Sequence, residues 1–465
     1  MKFLLFCILL PIAASAQNDT AMLDAYMKAQ ASIYNFNGNV LVADKGRVIY
    51  KRSFGYADFN SQKLLDENSI FDCGSVAKEF TAMAILMLKD KGKISLTDTL
   101  TKFFPGLPYQ TVTIQHLLTH TSGIPDGFAL IEKYFDHNKI ATNTDLLRLL
   151  EEEHPLLYFK PGTNLMYSGT AFNLLALIIE KITGQAYSDY MNKNIFKPLG
   201  MAHTQVANFL RTAKNIPGFA EGYIYSDSLK KYVVNYNKPS GWTSYFTGIT
   251  GEGMIVTTSG DLLKWDRALQ AHQLLKPATQ QQMLTQQAEK IFPKVAFGYG
   301  MRVGKNENGN FIFHNGYYPG YKSMHLRYTD NDVTVIVLSN NESQSEFIAD
   351  ALAAITLHKK VVIPYVHTVM DRPDIPNNFT GKYMMQLTRP PYMAVFPVEF
   401  IKRDGSIFLH PSTGNDIELK QATANTFFFG NNTDQQLEFE TTAGGQLIHV
   451  WHIAWGLKKE LTKVE

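Results

Sequence analysis

Cysteine is almost absent from this chain: 465 residues hold 2, Cys7 and Cys73. Cys7 lies in an N-terminal apolar run that reads as removable, so the remaining chain carries one thiol and cannot close a disulfide on itself. An excess of either charge is absent too. Lys and Arg number 44 against 42 Asp and Glu. That balance gives no electrostatic footprint for a polyanion, which excludes nucleic acid as the expected partner. No stretch beyond the N-terminus is apolar for long enough to span a bilayer. Internal repeats and low-complexity tracts are also missing. What remains is an ordinary globular composition, 45% hydrophobic and 18% charged, in a chain long enough for two or three domains.

Met1 to Ala16 has the form of a secretory signal peptide. Lys2 supplies the positive start, Phe3 to Leu10 the apolar run, and Ala14-Ser15-Ala16 a small-residue cleavage site before Gln17. Cys7 sits inside the apolar run and not where a lipid-attachment cysteine would, so no membrane anchor is expected. The expected mature protein is exported, periplasmic or secreted.

Patterning divides the rest. Asp19 to Ile33 reads as an amphipathic helix. Gly38 to Ala43 and Arg47 to Gly55 read as strands around an Asp44-Lys45-Gly46 turn. A mostly helical middle runs from about 113 to 210. Strands return at Gly298–Val303, Asn310–His314, Ser323–Tyr328 and Val333–Ser339, and a helix follows over Ser345–Leu357. Strands at both ends of a helical middle imply one antiparallel sheet assembled from both termini. The expected fold class is α+β, an α/β/α sandwich: an antiparallel sheet flanked by helices with a helical subdomain beside it. Pro364, Pro373 and Pro376 mark residues 361–376 as a linker. Residues 377–465 follow as short strands with turns at Arg403-Asp404-Gly405 and Ala443-Gly444-Gly445, read as a small antiparallel, barrel-like β-domain. The catalytic domain is accordingly 17–360.

The chemistry gathers at Phe71-Asp72-Cys73-Gly74-Ser75-Val76-Ala77-Lys78. Ser75 and Lys78 lie three apart at a helix start, on one face, so the amine reaches the hydroxyl. A serine needs such a base to become a nucleophile. Lysine serves as one only when its pKa is lowered. A second Ser-x-x-Lys, at Ser228, sits in a polar segment with no apolar helix behind it and is set aside. Cys73 has no base at helical spacing and reads as a small core residue. His116 and His120 are four apart, but Leu117 stands where a zinc hydrolase needs glutamate, so no metal and no other cofactor is expected.

Tyr167 follows a Pro161-Gly162 turn and precedes an apolar helix, and His314-Asn315-Gly316 follows the strand-like Phe311-Ile312-Phe313. Taken with Ser75 and Lys78, these resemble the three motifs of the serine β-lactamase and penicillin-binding-protein superfamily: Ser-x-x-Lys, Tyr-x-Asn and Lys-or-His-x-Gly. The match is nearest the branch holding class C β-lactamases, D-alanyl-D-alanine carboxypeptidases and β-lactamase-like esterases. Ile114 to Pro125, Phe196 to Met201 and Gly251-Glu252-Gly253-Met254 are similar to further signatures of that family. The resemblance spans roughly residues 35 to 358.

The resemblance implies a site at the boundary of sheet and helical subdomain. Ser75 would carry the acyl group, with Lys78 and Tyr167 as a coupled base system; which of the two takes the proton stays open. His314 stands where many relatives have lysine and is mostly neutral at pH 7. Asn315 would bond the substrate, and the backbone N–H of Tyr317, after Gly316, would pair with that of Ser75 as oxyanion donor. Gly169 departs from the motif. The family's asparagine there orients the lysine and grips a substrate amide. Its loss makes the site roomier and favours small or ester substrates. Ser168 is a candidate substitute. Trp242, Tyr245 and Phe246 are candidates either for lining the cleft or for packing under a loop. The function implied is an exported serine hydrolase on ester or amide substrates, ordered esterase, D-amino-acid peptidase, β-lactamase. Its partner would be a small-molecule or peptidoglycan-type substrate, with oligomeric state left open. The alternative is a catalytically silent binding protein on the same fold.

Overall fold

The computed structural model describes residues 10–207, 215–234, 245–287, 297–370, 375–389, 392–430 and 434–464. The side chains of 10–18 and 387–394 are excepted. Two compact bodies result: Phe36–Ala349, and Met1–Asn35 together with Asp350–Glu465.

In the first body, β1 (Gly38–Asp44) and β2 (Arg47–Phe54) form the expected hairpin. Lys45 and Gly46 take φ of 50° and 76°, the left-handed pair that matches a tight hairpin to strand twist. The later strands are β3 (Arg302–Asn306), β4 (Gly309–Tyr318), β5 (Tyr321–Tyr328) and β6 (Val333–Ser339). They complete a six-stranded sheet in the order β3-β4-β5-β6-β1-β2. β1 pairs antiparallel with β6, Gly38 opposite Ser339, so the sheet is closed from both ends of the body. β1 and β6 are buried almost residue by residue instead of alternating, the mark of strands covered on both faces.

One strand starts later than the sequence suggests. Gly298–Val303 reads as extended, but β3 begins at Arg302. Gly300 has φ 69°, and a Cβ there would lie 2.5 Å from the Ala82 Cβ and 2.6 Å from the Lys78 carbonyl oxygen. The segment before β3 is a glycine crossing over the helix that carries Lys78, and only glycine fits.

That helix, α2 (Ala77–Asp90), buries nearly every side chain from Ala77 to Leu88. The helical middle includes α3 (Gly169–Thr183), which ends at Gly184 with φ 66°. α4 (Ser259–Gln270) then packs on β1 and β6.

The second body departs from the expected boundaries. Its first element is α1 (Leu10–Tyr34), longer than Asp19–Ile33 and taking in residues expected to be removed with the signal peptide. Residues 17–35 do not group with the catalytic body. Tyr26 donates its hydroxyl to the Trp455 carbonyl at 3.1 Å, and Gln30 donates to Asp434 at 3.0 Å. Residues 361–370 of the expected linker 361–376 are laid along the β-domain: Val362 N–H bonds the Gly456 carbonyl and Met370 N–H that of Gln421. Ile375 is buried in the β-domain core. Prolines remove donors, but Val362 and Met370 keep theirs and find partners. α5 (Ser345–Thr356) spans the division at residue 349.

Nine antiparallel strands make the β-domain, from Gly381–Arg389 to Leu457–Glu460 and Thr462–Lys463. The last two lie at opposite edges of the sheet yet are separated only by Leu461, so the sheet curls until its edges nearly meet. Its interior is filled by packed rings, Phe379 stacked on Phe439 at 4.4 Å and Phe400 edge-to-face with Phe439 at 5.6 Å. Among the described residues no helix is long and apolar enough to cross a membrane.

Candidate active site

The chain reaches Ser75 through a tight turn. Phe71–Asp72 is a short strand paired with Val256 and Thr257. Gly74, at φ 52°, donates its N–H to the Asp72 carboxylate at 2.7 Å and opens a 3-10 turn that runs into α2. Strand β4 passes directly against this turn. A Cβ on Gly316 would stand 2.0 Å from the Cys73 carbonyl oxygen, and one on Gly74 would stand 2.7 Å from the Tyr317 nitrogen. Both glycines are therefore required by backbone contact, and the contact puts the Tyr317 N–H beside the Ser75 turn.

Lys78 has no exposed side-chain surface. Its Nζ donates to Ser75 Oγ at 2.9 Å, to the Glu252 carbonyl at 2.8 Å and to Glu252 Oε2 at 2.8 Å. An ammonium has three protons, and all three are placed. The Tyr167 ring lies 4.9 Å from the same nitrogen. Burial works to lower the Lys78 pKa, but Glu252 and then Tyr167 outweigh it and hold the amine above its ordinary value. Lys78 is thus a cation in this site, unlike the neutral base that burial alone would make.

Tyr167 precedes α3, whose N-cap is Ser168: its Oγ accepts from Ala171 N–H at 3.1 Å. Ser168 is committed to the helix cap and does not replace the family's asparagine. One face of the Tyr167 ring rests on His120, centroids 4.5 Å apart. His120 accepts the Ser168 N–H on Nδ1 at 3.1 Å. Burial, then Lys78, push the His120 pKa well down, so the imidazole is neutral. His120 stands beyond a helix that ends at Leu118, while His116 closes that helix's N-terminal capping box. The two histidines therefore do not face one another.

His314 is buried on β4, its ring 6.2 Å from that of Tyr167. Burial and Lys78 lower its pKa well below the usual value, so it adds no cation. Asn315 does not join the site. Side chains alternate along a strand, and Asn315 donates instead to Glu346 at 2.5 Å. Tyr317 likewise sends its side chain outward, where the hydroxyl donates to Glu342 at 3.2 Å. Tyr245 and Phe246 are buried, Tyr245 stacked on His137 at 4.1 Å, and so pack under their loop. Trp242 lies outside the described residues.

Three residues near the site had been given no role there, although Glu252 and His120 lie within the Gly251–Met254 and Ile114–Pro125 signatures. Glu252 is the acid between Gly251 and Gly253; a buried lysine requires a counter-charge, and that requirement is the signal. His120 is the support for Tyr167. Arg302, the first residue of β3, lies 5.7 Å from the Tyr167 ring centroid. Asp72 is also buried here, and desolvation pushes its carboxyl up to about 7 despite the Gly74 N–H.

Comparison with known proteins identifies the family. The sequence model of the family described as Beta-lactamase matches residues 23–358. Penicillin-binding protein 4* of Bacillus subtilis (strain 168) is 33% identical over 382 residues, 80% of this chain and 84% of that protein. Among solved structures, the octameric penicillin-binding protein homologue from Pyrococcus abyssi superposes with a TM-score of 0.66 at 23% identity, covering 96% of this chain and 100% of that one. EstCE1, a hydrolase with promiscuous acyltransferase activity, gives 0.60 at 21% identity over 74% of this chain and 99% of its own. The D-amino acid amidase from Ochrobactrum anthropi SV3 gives 0.58 at 23% over 74% and 96%. At those identities the three structures speak for the fold, and the family match speaks for descent. This chain belongs to the serine β-lactamase and penicillin-binding-protein superfamily.

Proposed function

We propose that the protein is an exported serine hydrolase that works through an acyl-enzyme at Ser75, on ester or amide substrates. The observation that carries this reading is the 2.9 Å bond from a fully buried Lys78 to Ser75 Oγ. A catalytically silent protein has no need to bury a cation against a serine hydroxyl, since burial of charge is costly.

In this reading Ser75 Oγ bonds to the acyl carbon while its proton passes to the Tyr167 phenolate oxygen. The tetrahedral oxyanion is held by the backbone N–H groups of Ser75 and Tyr317. Tyr167 then returns the proton to the leaving oxygen or nitrogen as the carbon–leaving-group bond breaks. Water repeats the sequence on the acyl-enzyme: its proton goes to Tyr167, its oxygen to the acyl carbon, and the proton finally to Ser75 Oγ. Lys78 stays a cation throughout and offsets negative charge on either oxygen.

The neutral His314 and the missing asparagine at 169 favour esters first, D-amino-acid amides or peptides next, and β-lactams last. Names among proteins of this fold, an amidase and a hydrolase with acyltransferase activity, fit a scaffold that accepts both ester and amide. Peptidoglycan-type peptides are in scope through the 33% identical penicillin-binding protein. Export rests on the composition of residues 1–16.

A fluorophosphonate probe tests the reading, with Ser75→Ala as control and a panel of esters, D-amino acid amides and a chromogenic cephalosporin. Labelling of Ser75 alone, together with turnover of esters above amides, is the expected result. A Ser75→Ala protein that still labels and still turns over would remove Ser75 from the nucleophile's role.

A further inference from the structure

The family's motif places an asparagine side chain two residues after the tyrosine, where it orients the lysine, and here that position is Gly169. The room left by the missing side chain is not empty. A Cβ built on Gly169 would lie 3.4 Å from Glu252 Cγ and 3.4 Å from Glu252 Oε2. The same Oε2 accepts a hydrogen bond from Lys78 Nζ at 2.8 Å. An asparagine at 169 would push its amide into the volume that the Glu252 carboxylate fills. Phe128, 3.1 Å from the same Cβ position on the other side, closes the alternative direction.

We propose that Glu252 has taken over the work of the missing asparagine: it is the positioning residue for Lys78, and Gly169 is glycine because Glu252 needs the space. This rests on the reading of Ser75, Lys78 and Tyr167 given above. The exchange changes the chemistry and not only the shape. An asparagine offers a neutral amide, donor and acceptor together. A carboxylate offers acceptors and a full negative charge, so Lys78 remains a cation and cannot be the resting base. Proton transfer then falls to Tyr167. The glycine before Glu252 serves the placement: Gly251, at φ 98°, would clash with the Phe172 carbonyl at 2.5 Å if it carried a Cβ. The loop therefore holds both the backbone carbonyl and the carboxylate of Glu252 on the same ammonium, each at 2.8 Å. The other ionisable groups bearing on the pair are Asp72, Asp126, Tyr167, His120, His314 and Tyr318.

The test compares wild type with E252Q, E252A, G169N and G169N/E252A, using a chromogenic ester and full pH profiles of kcat/KM. E252Q keeps the side chain's length and removes its charge, so the basic limb of the profile should move to lower pH by about one unit or more. E252A should lose at least about tenfold in kcat/KM, G169N should lose activity by crowding Glu252, and the double variant should recover at least about tenfold over E252A. A buried structural role for Glu252 would not move the basic limb and would not be rescued from position 169. The inference is overturned if E252Q leaves the limb in place, or if the losses of G169N and E252A simply add. Fluorophosphonate labelling of wild type separates the two levels. If Ser75 does not label, the catalytic reading has failed; if it labels and the Glu252 variants behave like wild type, only this inference has failed.

Discussion

Glu79 and His325 meet with neither side chain exposed, the imidazole Nδ1 3.0 Å from Glu79 Oε2. The contact ties α2, which carries Lys78, to β5 of the sheet. His325 Nε2 lies 3.3 Å from Asp266 on α4, so one ring is held between two carboxylates. Trp265 N–H also donates to Glu79 at 2.6 Å, and Arg267 and Arg327 neighbour Asp266. Burial alone would strip His325 of its proton. The two carboxylates overcome it and raise the pKa from 6.5 to about 10.

Stability should therefore depend on alkaline pH. A raised pKa contributes stability that is complete below the unfolded value of 6.5 and disappears as pH climbs through about 10. Asp266, held down to about 2 by His325 once burial is overcome, contributes above its ordinary 3.8 and loses that share as pH falls toward about 2. Through His325, urea midpoints should decline from about pH 6.5 to about 10. His325→Asn should be less stable and lack that alkaline decline; a variant with the wild-type slope would place the titration elsewhere.

Gly316→Ala should damage both fold and catalysis. The added methyl meets the Cys73 carbonyl at 2.0 Å and Ser323 Oγ at 2.2 Å, and neither neighbour can withdraw without moving the Ser75 turn from β4. The expected cost is about 1–3 kcal/mol by urea titration, with a drop in kcat/KM larger than the stability loss explains. Full activity in the alanine variant would mean that β4 and the turn are not in the contact described.

Tyr167→Phe should separate chemistry from stability. The ring is 38% exposed and keeps its contact with His120, so the fold should be nearly unchanged. Activity should fall about 10²- to 10⁴-fold, the usual worth of a positioned proton-transfer group. A loss smaller than about tenfold would return the base role to Lys78.

Tyr26→Ala should weaken the second body without touching the site. It removes a fully buried aromatic side chain and a hydrogen bond to the Trp455 carbonyl. A cost of about 3–5 kcal/mol is expected for α1 and the β-domain. Ester kcat/KM under native conditions should remain within about twofold, because every group assigned to the site lies between Phe36 and Ala349. An unshifted transition for the β-domain would show that α1 does not belong to it.

The contact of Ser75 with Lys78 was legible because both lie within one turn of helix, where spacing alone fixes which side chains meet. The hairpin, the central strands and the family's three motifs were legible for the same local reason: periodicity and turn residues act over a few positions. Gly169 was legible as a vacancy, since an absent side chain is a fact of the chain itself. What occupies the vacancy was not. Glu252 is 174 residues from Lys78 in sequence, and only the fold brings its carboxylate to 2.8 Å. The direction of Asn315 was decided by β4, because strand alternation turns it from the site as surely as it turns His314 inward. The grouping of α1 with the β-domain was likewise settled by Tyr26 and Gln30 reaching residues some four hundred positions away. Sequence determined which chemistry was possible here, through residues whose meaning is local. Tertiary structure decided the charge state of that chemistry, because the electrostatics of a buried lysine depend on whichever distant acid the fold sets beside it.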